Sequence, residues 1–293
     1  MVSVIVATYR RDEPLKRALT SLLDIVNCEF EVVVVDDNAD ENWNEKVISI
    51  VNSFLNKLDI KYIRNEKNEG SANTRNIGIR EARGEYITFL DDDDLYMPEK
   101  IAKQLELMKR TKADYSLTNL ALYNEDETVS EIRKRPYLLT EESNNLLLCH
   151  LKYHMTGTDT MMFKKEYILS FGGFASIDVG DEFYLMLRAI EKGGVFAYCD
   201  SCDVKAYVHT AEDGLSSGES KIKGENNLYA FKKRYFSNIS LKNRRYIRMR
   251  HYAVLAFAFK RCGKKWKFIS SGIKALLVDP VQSLKLLHSR KSI

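Results

Sequence analysis

No apolar run in this chain of 293 residues reaches the roughly 18 residues that a bilayer-spanning helix requires. The first residues, MVSVIVATYRR, are apolar from the outset and carry no basic leader, so they read as a buried strand rather than a signal peptide. Cysteine is scarce and its count, five, is odd, which argues against a disulfide framework and for a reducing compartment. Cys199 and Cys202 form one CxxC, but no second pair exists to complete a zinc site. Glycine-rich phosphate loops are missing as well. No GxGxxG follows the first apolar run and no Walker A lysine motif occurs, which disfavours a nicotinamide enzyme and a P-loop NTPase. There is no internal repeat and no low-complexity linker. Acids nearly vanish from the end of the chain: residues 221–293 hold only Glu225 and Asp279 against 19 Lys and Arg, whereas residues 1–220 hold 39 acids and 26 bases.

What is present is a regular alternation. Val2 to Ala7, Glu31 to Val35, Ile60 to Arg64 and Glu85 to Leu90 are short apolar, β-rich runs. Helical spacing separates them at Arg10 to Leu23, Lys46 to Leu58 and Asn73 to Ala82, with Gly84 as a C-terminal stop, and resumes at Pro98 to Arg110. Continuous apolar strands between helices indicate an α/β fold with a mostly parallel, Rossmann-like sheet covered on both faces. The middle is less regular. Asp114 to Tyr123 reads as a strand, Asn124 to Glu142 as loop, Thr158 to Lys164 as a strand, Asp181 to Lys192 as a helix and Val195 to Tyr198 as a strand. From Leu228 the pattern is helical, with a last helix over Val281 to Leu287.

Ligands of open α/β sheets bind beyond the carboxyl ends of the strands. Three such ends are polar here: Thr8-Tyr9-Arg10, Asp36-Asp37-Asn38, and the run Asp91-Asp92-Asp93-Asp94. A single acidic pair is as easily a solvated turn as a site. Two acidic clusters after two apolar strands form a charge sink that needs a cation, and hard carboxylate oxygens suit Mg2+ or Mn2+, which commonly arrive with phosphates. With no phosphate loop, basic side chains such as Arg75 would share that task.

The stretches VSVIVATYRR, VVVVDDN and GSANTRNIGIREARGEYITFLDDDD, followed by GTDTMMFKKEYILSFGGF and GDEFYLMLRAIEKGG, resemble the inverting family 2 glycosyltransferases of the GT-A fold over roughly residues 2–220. The resemblance implies roles by position. Thr8 and Tyr9 would lie beside the nucleotide base, Asp37 would bond uracil with Asp36 as its neighbour, and Arg75 would lie near the nucleotide. Asp91-Asp92-Asp93 matches the DXD motif: Asp93 would hold the metal, Mn2+ or Mg2+, and Asp91 the ribose or a metal-bound water. Asp92 and Asp94 could equally be solvated or helix-capping. The family's general base lies six residues before an arginine, here Arg188, which gives Glu182 with Asp181 beside it. The usual order of that pair is reversed, so either acid could serve. His209 would be a further metal ligand, and the loop from Thr210 to Lys223 a lid over the donor.

The expected layout is a glycosyltransferase domain over 1–220, with a nucleotide-sugar half at 1–110 and an acceptor-side half with lid at 111–220. A helical, basic appendage follows at 221–293. Interleaved Lys, Arg, Tyr, Phe and Trp266 over 242–274 fit helices on an anionic membrane surface as well as a subdomain packed on the body; nucleic acid fits poorly beside an acidic body. The expected activity is transfer of a sugar from a nucleotide donor, UDP-linked, to a lipid-linked or surface-polysaccharide glycan, in the cytoplasm and peripheral to the inner face of the cell membrane. The competing readings are an inactive GT-A binding module and a sugar nucleotidyltransferase.

Overall fold

The computed structural model describes residues 1–177, 180–208 and 218–289. In chain order the elements are β1 (Val2–Thr8), α1 (Glu13–Leu22), β2 (Phe30–Asp36), α2 (Glu41–Asn52), β3 (Ile60–Arg64), α3 (Ser71–Glu81), β4 (Tyr86–Phe89), β5 (Leu95–Tyr96) and α4 (Lys100–Thr111). They continue with β6 (Tyr115–Leu117), β7 (Leu120–Tyr123), β8 (Val129–Arg133), α5 (Leu146–Tyr153), β9 (Met161–Lys164), α6 (Lys165–Ser170), α7 (Asp181–Lys192), β10 (Phe196–Tyr198) and β11 (Val204–Tyr207). Four helices close the chain: α8 (Gly218–Lys232), α9 (Leu241–Arg261), α10 (Lys265–Val278) and α11 (Pro280–Ser289).

The chain forms two compact units. One comprises Met1–Ser143 and Met155–Val208; the other comprises Asn144–His154 and His209–Ile293. The first is α/β, with a seven-stranded sheet in the order β10-β6-β9-β4-β1-β2-β3 flanked by helices, and a four-stranded sheet in the order β5-β11-β7-β8. Every pairing in the large sheet is parallel except those of β9, which runs antiparallel to both β4 and β6. The apolar runs explain this core directly. Val32, Val33, Val34 and Val35 are all fully buried, as expected for a central strand covered on both faces. On α1 the buried set is Leu15, Ala18, Leu19 and Leu22, one face of a helix.

Three local details depart from the sequence reading. Helix α2 starts at Glu41 rather than Lys46 because Asp40 caps it, accepting a hydrogen bond from the Trp43 amide at 3.1 Å. The run 114–123 is two strands in different sheets: the Thr118 amide donates to the Thr160 carbonyl and the Asn119 amide to that of Ser201, which carries the chain from one sheet to the other. Within 124–142, read as loop, β8 pairs antiparallel with β7.

Gly84 is not a left-handed helix stop. Helix α3 ends at an extended Ala82, and Gly84 lies where its backbone meets β1. Its amide donates to the Ser3 hydroxyl at 2.8 Å, and that hydroxyl donates to the buried Glu31 carboxylate at 2.6 Å. A Cβ added at Gly84 would come within 2.7 Å of the Ser3 amide nitrogen and 2.9 Å of the Val2 carbonyl carbon, both backbone atoms that cannot turn aside. Gly84→Ala is therefore expected to destabilise the first unit by about 1–3 kcal/mol, the usual range for overpacking. Equilibrium urea unfolding with an unchanged midpoint would refute the close approach.

Candidate active site

The carboxyl ends of β1, β2 and β4 meet at one edge of the large sheet, since Thr8 pairs with Asp36 and Ile5 with Phe89. Beyond these ends the chain bends sharply. Arg10 (φ 52°) and Ala39 (φ 51°) are in the left-handed region, an uncommon conformation for residues with a Cβ. The Arg10 amide donates to Asn38 Oδ1 at 2.6 Å and ties the two strand ends together. Tyr9 is left exposed there, with the Arg10 guanidinium 5.2 Å from its ring centre.

The acids of β2 are deeply buried and held. Asp36 accepts from the Tyr62 hydroxyl at 2.7 Å, and from the amide and side chain of Asn38 at 3.0 and 2.7 Å. Asp37 accepts from the Asn65 side chain and from the backbone amides of Glu69 and Gly70, at 2.8, 2.8 and 2.9 Å. These bonds order the turn that opens α3, and α3 in turn carries Arg75 to the site.

The four-aspartate run is a turn, not a strand. The Asp94 amide donates to the Asp91 carbonyl at 3.1 Å, so residues i and i+3 converge and the alternation of a strand does not continue through the run. Asp91 and Asp94 consequently lie together, while Asp92 and Asp93 both pair with Arg11. Asp92 also accepts from the Thr8 hydroxyl at 2.7 Å. Burial pushes the Asp92 carboxyl up to about 6 against the pull of Arg11.

A fifth aspartate completes the cluster. Asp91, Asp94 and Asp159 each offer a carboxylate oxygen within 4.8 Å of the others. Asp159 sits in a short 3-10 turn (Thr158–Thr160) just before β9, and its Oδ1 accepts from the Asp91 amide at 2.6 Å. Strand β9 is antiparallel to β4, with Met162 opposite Thr88, so the residues ahead of β9 fall level with those that follow β4. A buried polar knot fixes this pairing. The Lys100 ammonium donates to the Thr88 hydroxyl at 2.6 Å and to the Tyr96 hydroxyl at 2.8 Å; the Tyr96 hydroxyl lies against the Phe89 carbonyl and 3.1 Å from that of Asp159. Burial brings Lys100 down to about 7.

Arg75 joins the aspartate cluster to α7. Its guanidinium contacts Asp91 at 2.6 Å and Asp181 at 3.3 Å; burial opposes its charge, but these two carboxylates outweigh that and raise its pKa. Asp181 and Glu182 occupy the first turn of α7, where the helix dipole favours acids. One oxygen of Asp181 accepts from the Glu182 amide at 3.0 Å, while Glu182 Oε2 accepts from the Gly157 amide at 2.7 Å. Burial raises the pKa of both, and Asp181 raises that of Glu182 further.

Of the residues singled out from sequence, Thr8 and Asp92 bond directly and are linked to Asp93 through Arg11, and Asp91, Arg75, Asp181 and Glu182 form a second contact chain that meets the first at the aspartate turn. Tyr9, Asp36 and Asp37 hold the adjoining strand ends. His209 and residues 210–217 of the expected lid lie outside the described residues. Asp159, Arg11 and the pairing of Asp94 were missed. The available signal for Asp159 was an acid immediately ahead of an apolar strand, which reaches the ligand edge only because that strand is antiparallel.

A model of glycosyl transferase family 2 matches residues 3–169. The chain belongs to that family. Its α/β fold is of the GT-A type, and the family match ends before the acid pair of α7. A curated relative, the UDP-Glc:alpha-D-GlcNAc-diphosphoundecaprenol beta-1,3-glucosyltransferase WfgD of Escherichia coli, is 28% identical over 131 residues, 45% of this chain and 50% of its own. The chain spans 57%, 17% and 20% of the length of three other curated relatives that it matches. Among solved structures, S. aureus TarS 1-349 in complex with UDP-GlcNAc superposes with a TM-score of 0.62 at 18% identity, covering 94% of this chain and 91% of that one. The mannosyltransferase PcManGT of Pyrobaculum calidifontis, in complex with GDP-Man and Mn2+, gives a TM-score of 0.59 at 18% identity, covering 99% and 79%.

The donor set suits a hard divalent cation: three carboxylates converge, and their crowding favours protonation. The Asp159 carboxyl is pushed up to about 7 by burial and by Asp91, and Asp94 is raised by burial and by Asp159. A carboxyl with a folded pKa above its unfolded 3.8 favours the fold while protonated, an advantage lost as pH rises through about 7. A bound cation needs the ionised form and offsets that loss. Mn2+ is therefore expected to raise the melting temperature more at about pH 8 than at about pH 5. Equal Mn2+ shifts at both pH values in a thermal melt would contradict the cluster's role.

Proposed function

We propose that the chain is an inverting, metal-dependent transferase that moves a sugar from a UDP-linked donor to a hydroxyl of a lipid-linked or surface-polysaccharide glycan. The observation that carries this reading is the continuous chain of contacts from the aspartate cluster through Arg75 to the acid pair of α7. The named activity of the Escherichia coli relative and the UDP-GlcNAc complex of TarS support a UDP-linked donor, while the GDP-Man complex of PcManGT supports only the broader class of nucleotide sugars.

In this reading Asp91 of the DXD run, with Asp94 and Asp159, would hold Mn2+ or Mg2+; Asp93, the metal ligand implied by the family pattern, is paired with Arg11 and would join them only by leaving that pair. The cation supplies countercharge to the departing diphosphate. Arg75 keeps the donor side and the base side in register, and its charge faces the same leaving group. Thr8, Tyr9, Asp36 and Asp37 form the strand ends against which the nucleoside lies, and Asp92 holds Thr8. His209 is a further candidate ligand.

Glu182 is assigned the general base. It takes the proton of the acceptor hydroxyl as that oxygen attacks the anomeric carbon; the bond to the diphosphate oxygen breaks, and UDP leaves with the electron pair. Asp181 is the weaker candidate because Arg75 and the Glu182 amide already stabilise its charge. Glu182 accepts only one hydrogen bond from the described residues, that of the Gly157 amide, and burial strengthens it as a base. The enzyme would work in the cytoplasm, peripheral to the inner face of the membrane; no helix among the described residues is long and apolar enough to cross one.

A screen of nucleotide sugars with Mn2+, reading released UDP or GDP, identifies the donor. With that donor, Glu182→Gln is expected to cut transfer by about 10²–10⁴-fold, the usual contribution of a positioned base, with donor binding within a few-fold. An active Glu182→Gln beside an inactive Asp181→Asn would reassign the base.

A further inference from the structure

Helix α10 leaves much of its apolar surface uncovered. A surface helix ordinarily turns its large apolar stripe to the core. Here the two most deeply buried residues are small: Ser271 and Ala275 are about 5% and 4% exposed, and Ala275 packs with Met249 and Ala253 of α9, while Phe268 and Val278 on the same side are half-buried. Five other bulky residues face out. At about 100° per residue, Trp266, Ile269, Ile273, Leu276 and Leu277 share an arc of about 100°. All five are exposed, Trp266 by 81% and Leu277 by 78%. The helix is held this way round from α9, since Arg245 donates through Nε and Nη2 to the Val278 carbonyl at 3.2 and 3.1 Å.

Helix α11 likewise leaves an apolar ridge uncovered. Ser283 is buried and Leu286 packs on the same α9 cluster, while Val281, Leu284 and Leu287 are exposed by 60%, 60% and 44%. Two successive helices thus present apolar ridges away from α9. Water solvates neither ridge well, and a patch of this kind marks an interaction surface.

Charge identifies the occupant. On the same 100° wheel, Lys265 borders the α10 ridge on one side and Lys285 lies beside the ridge of α11; Lys267 and Lys274 lie on the other flank of α10, their ammonium groups 5.6 and 5.8 Å from the Phe259 and Tyr252 ring centres of α9. Between residues 264 and 289 the sole acid is Asp279, which caps α11 by accepting from the Gln282 amide at 3.1 Å. Apolar ridges edged by lysines, with a tryptophan at one end, match the boundary between headgroups and acyl chains of an anionic bilayer. A second protein copy would bring the same lysines face to face.

We propose that the exposed ridges of α10 and α11 form a docking surface that inserts into the headgroup boundary of anionic lipid bilayers. This deepens the functional reading above by naming the surface through which the enzyme meets a membrane-held acceptor, and it stands on the second unit alone.

The test uses the whole chain and vesicles of phosphatidylcholine with and without phosphatidylglycerol. Co-sedimentation should require phosphatidylglycerol and weaken with added salt, and in a Trp43→Phe background the emission of Trp266 should shift to the blue. Leu277→Glu with Leu284→Glu, both exposed and outside the catalytic machinery, should weaken vesicle binding by about tenfold or more, as expected for removing two inserted leucines. Donor hydrolysis should be unchanged in that variant, so loss of vesicle binding with hydrolysis intact separates this surface from the catalytic assignment. Equal sedimentation of variant and wild type would overturn the proposal. So would a vesicle-indifferent wild type that dimerises through the same leucines.

Discussion

Arg75 holds together charges that would otherwise drive the site apart. Its guanidinium is buried between Asp91 on the turn after β4 and Asp181 on α7, and each of those acids belongs to a larger cluster. Without a cation at this point, the five carboxylates of Asp91, Asp94, Asp159, Asp181 and Glu182, on three segments of the chain, would repel one another where water screens them poorly. Much of the surrounding architecture serves to place it. The Asp37 carboxylate gathers the amides of Glu69 and Gly70, which sets the start of α3, and α3 delivers Arg75 one turn later.

The acid cluster remains only partly compensated. Arg75 and Arg11 are positioned against Asp91, Asp92, Asp93 and Asp181, whereas the raised pKa values of Asp94 and Asp159 show that their charge is not fully balanced. A site of this kind holds protons near neutral pH and exchanges them readily for a stronger cation. Lys100 lies close by but gives its hydrogen bonds to Thr88 and Tyr96, so it supports the backbone under the cluster rather than neutralising it.

The parallel half of the sheet was readable because strands buried on both faces leave long apolar runs and end abruptly in polar residues. Asp91, Arg75 and Glu182 could be placed from those runs together with the family pattern. Two kinds of information were not local. The direction of β9 cannot be read from MMFK alone, because an apolar strand looks the same in either direction, and Asp159 depends on that direction. The fold of the DDDD run was also hidden: alternation is the natural expectation just after a strand, whereas the Asp94 amide closes a turn and brings first and fourth acids together. In the C-terminal helices the residues were legible as amphipathic, but which side faced inward was decided by the close packing of Ala275 and Ser271 that only the folded chain displays.

The second unit is assembled from two stretches of chain, 144–154 and the residues after 208. Helix α5 belongs to it: Arg250 of α9 donates to the Lys152 carbonyl at 2.7 Å, and Tyr153 meets Tyr246 edge-on at 5.5 Å. The basic helices are therefore threaded into the catalytic chain rather than added after it. Cutting the chain behind β11 would deprive α5, with its buried Cys149, His150 and Leu151, of the α9 residues that pack on it. Exchange of the helical unit between related chains would have to carry both segments at once.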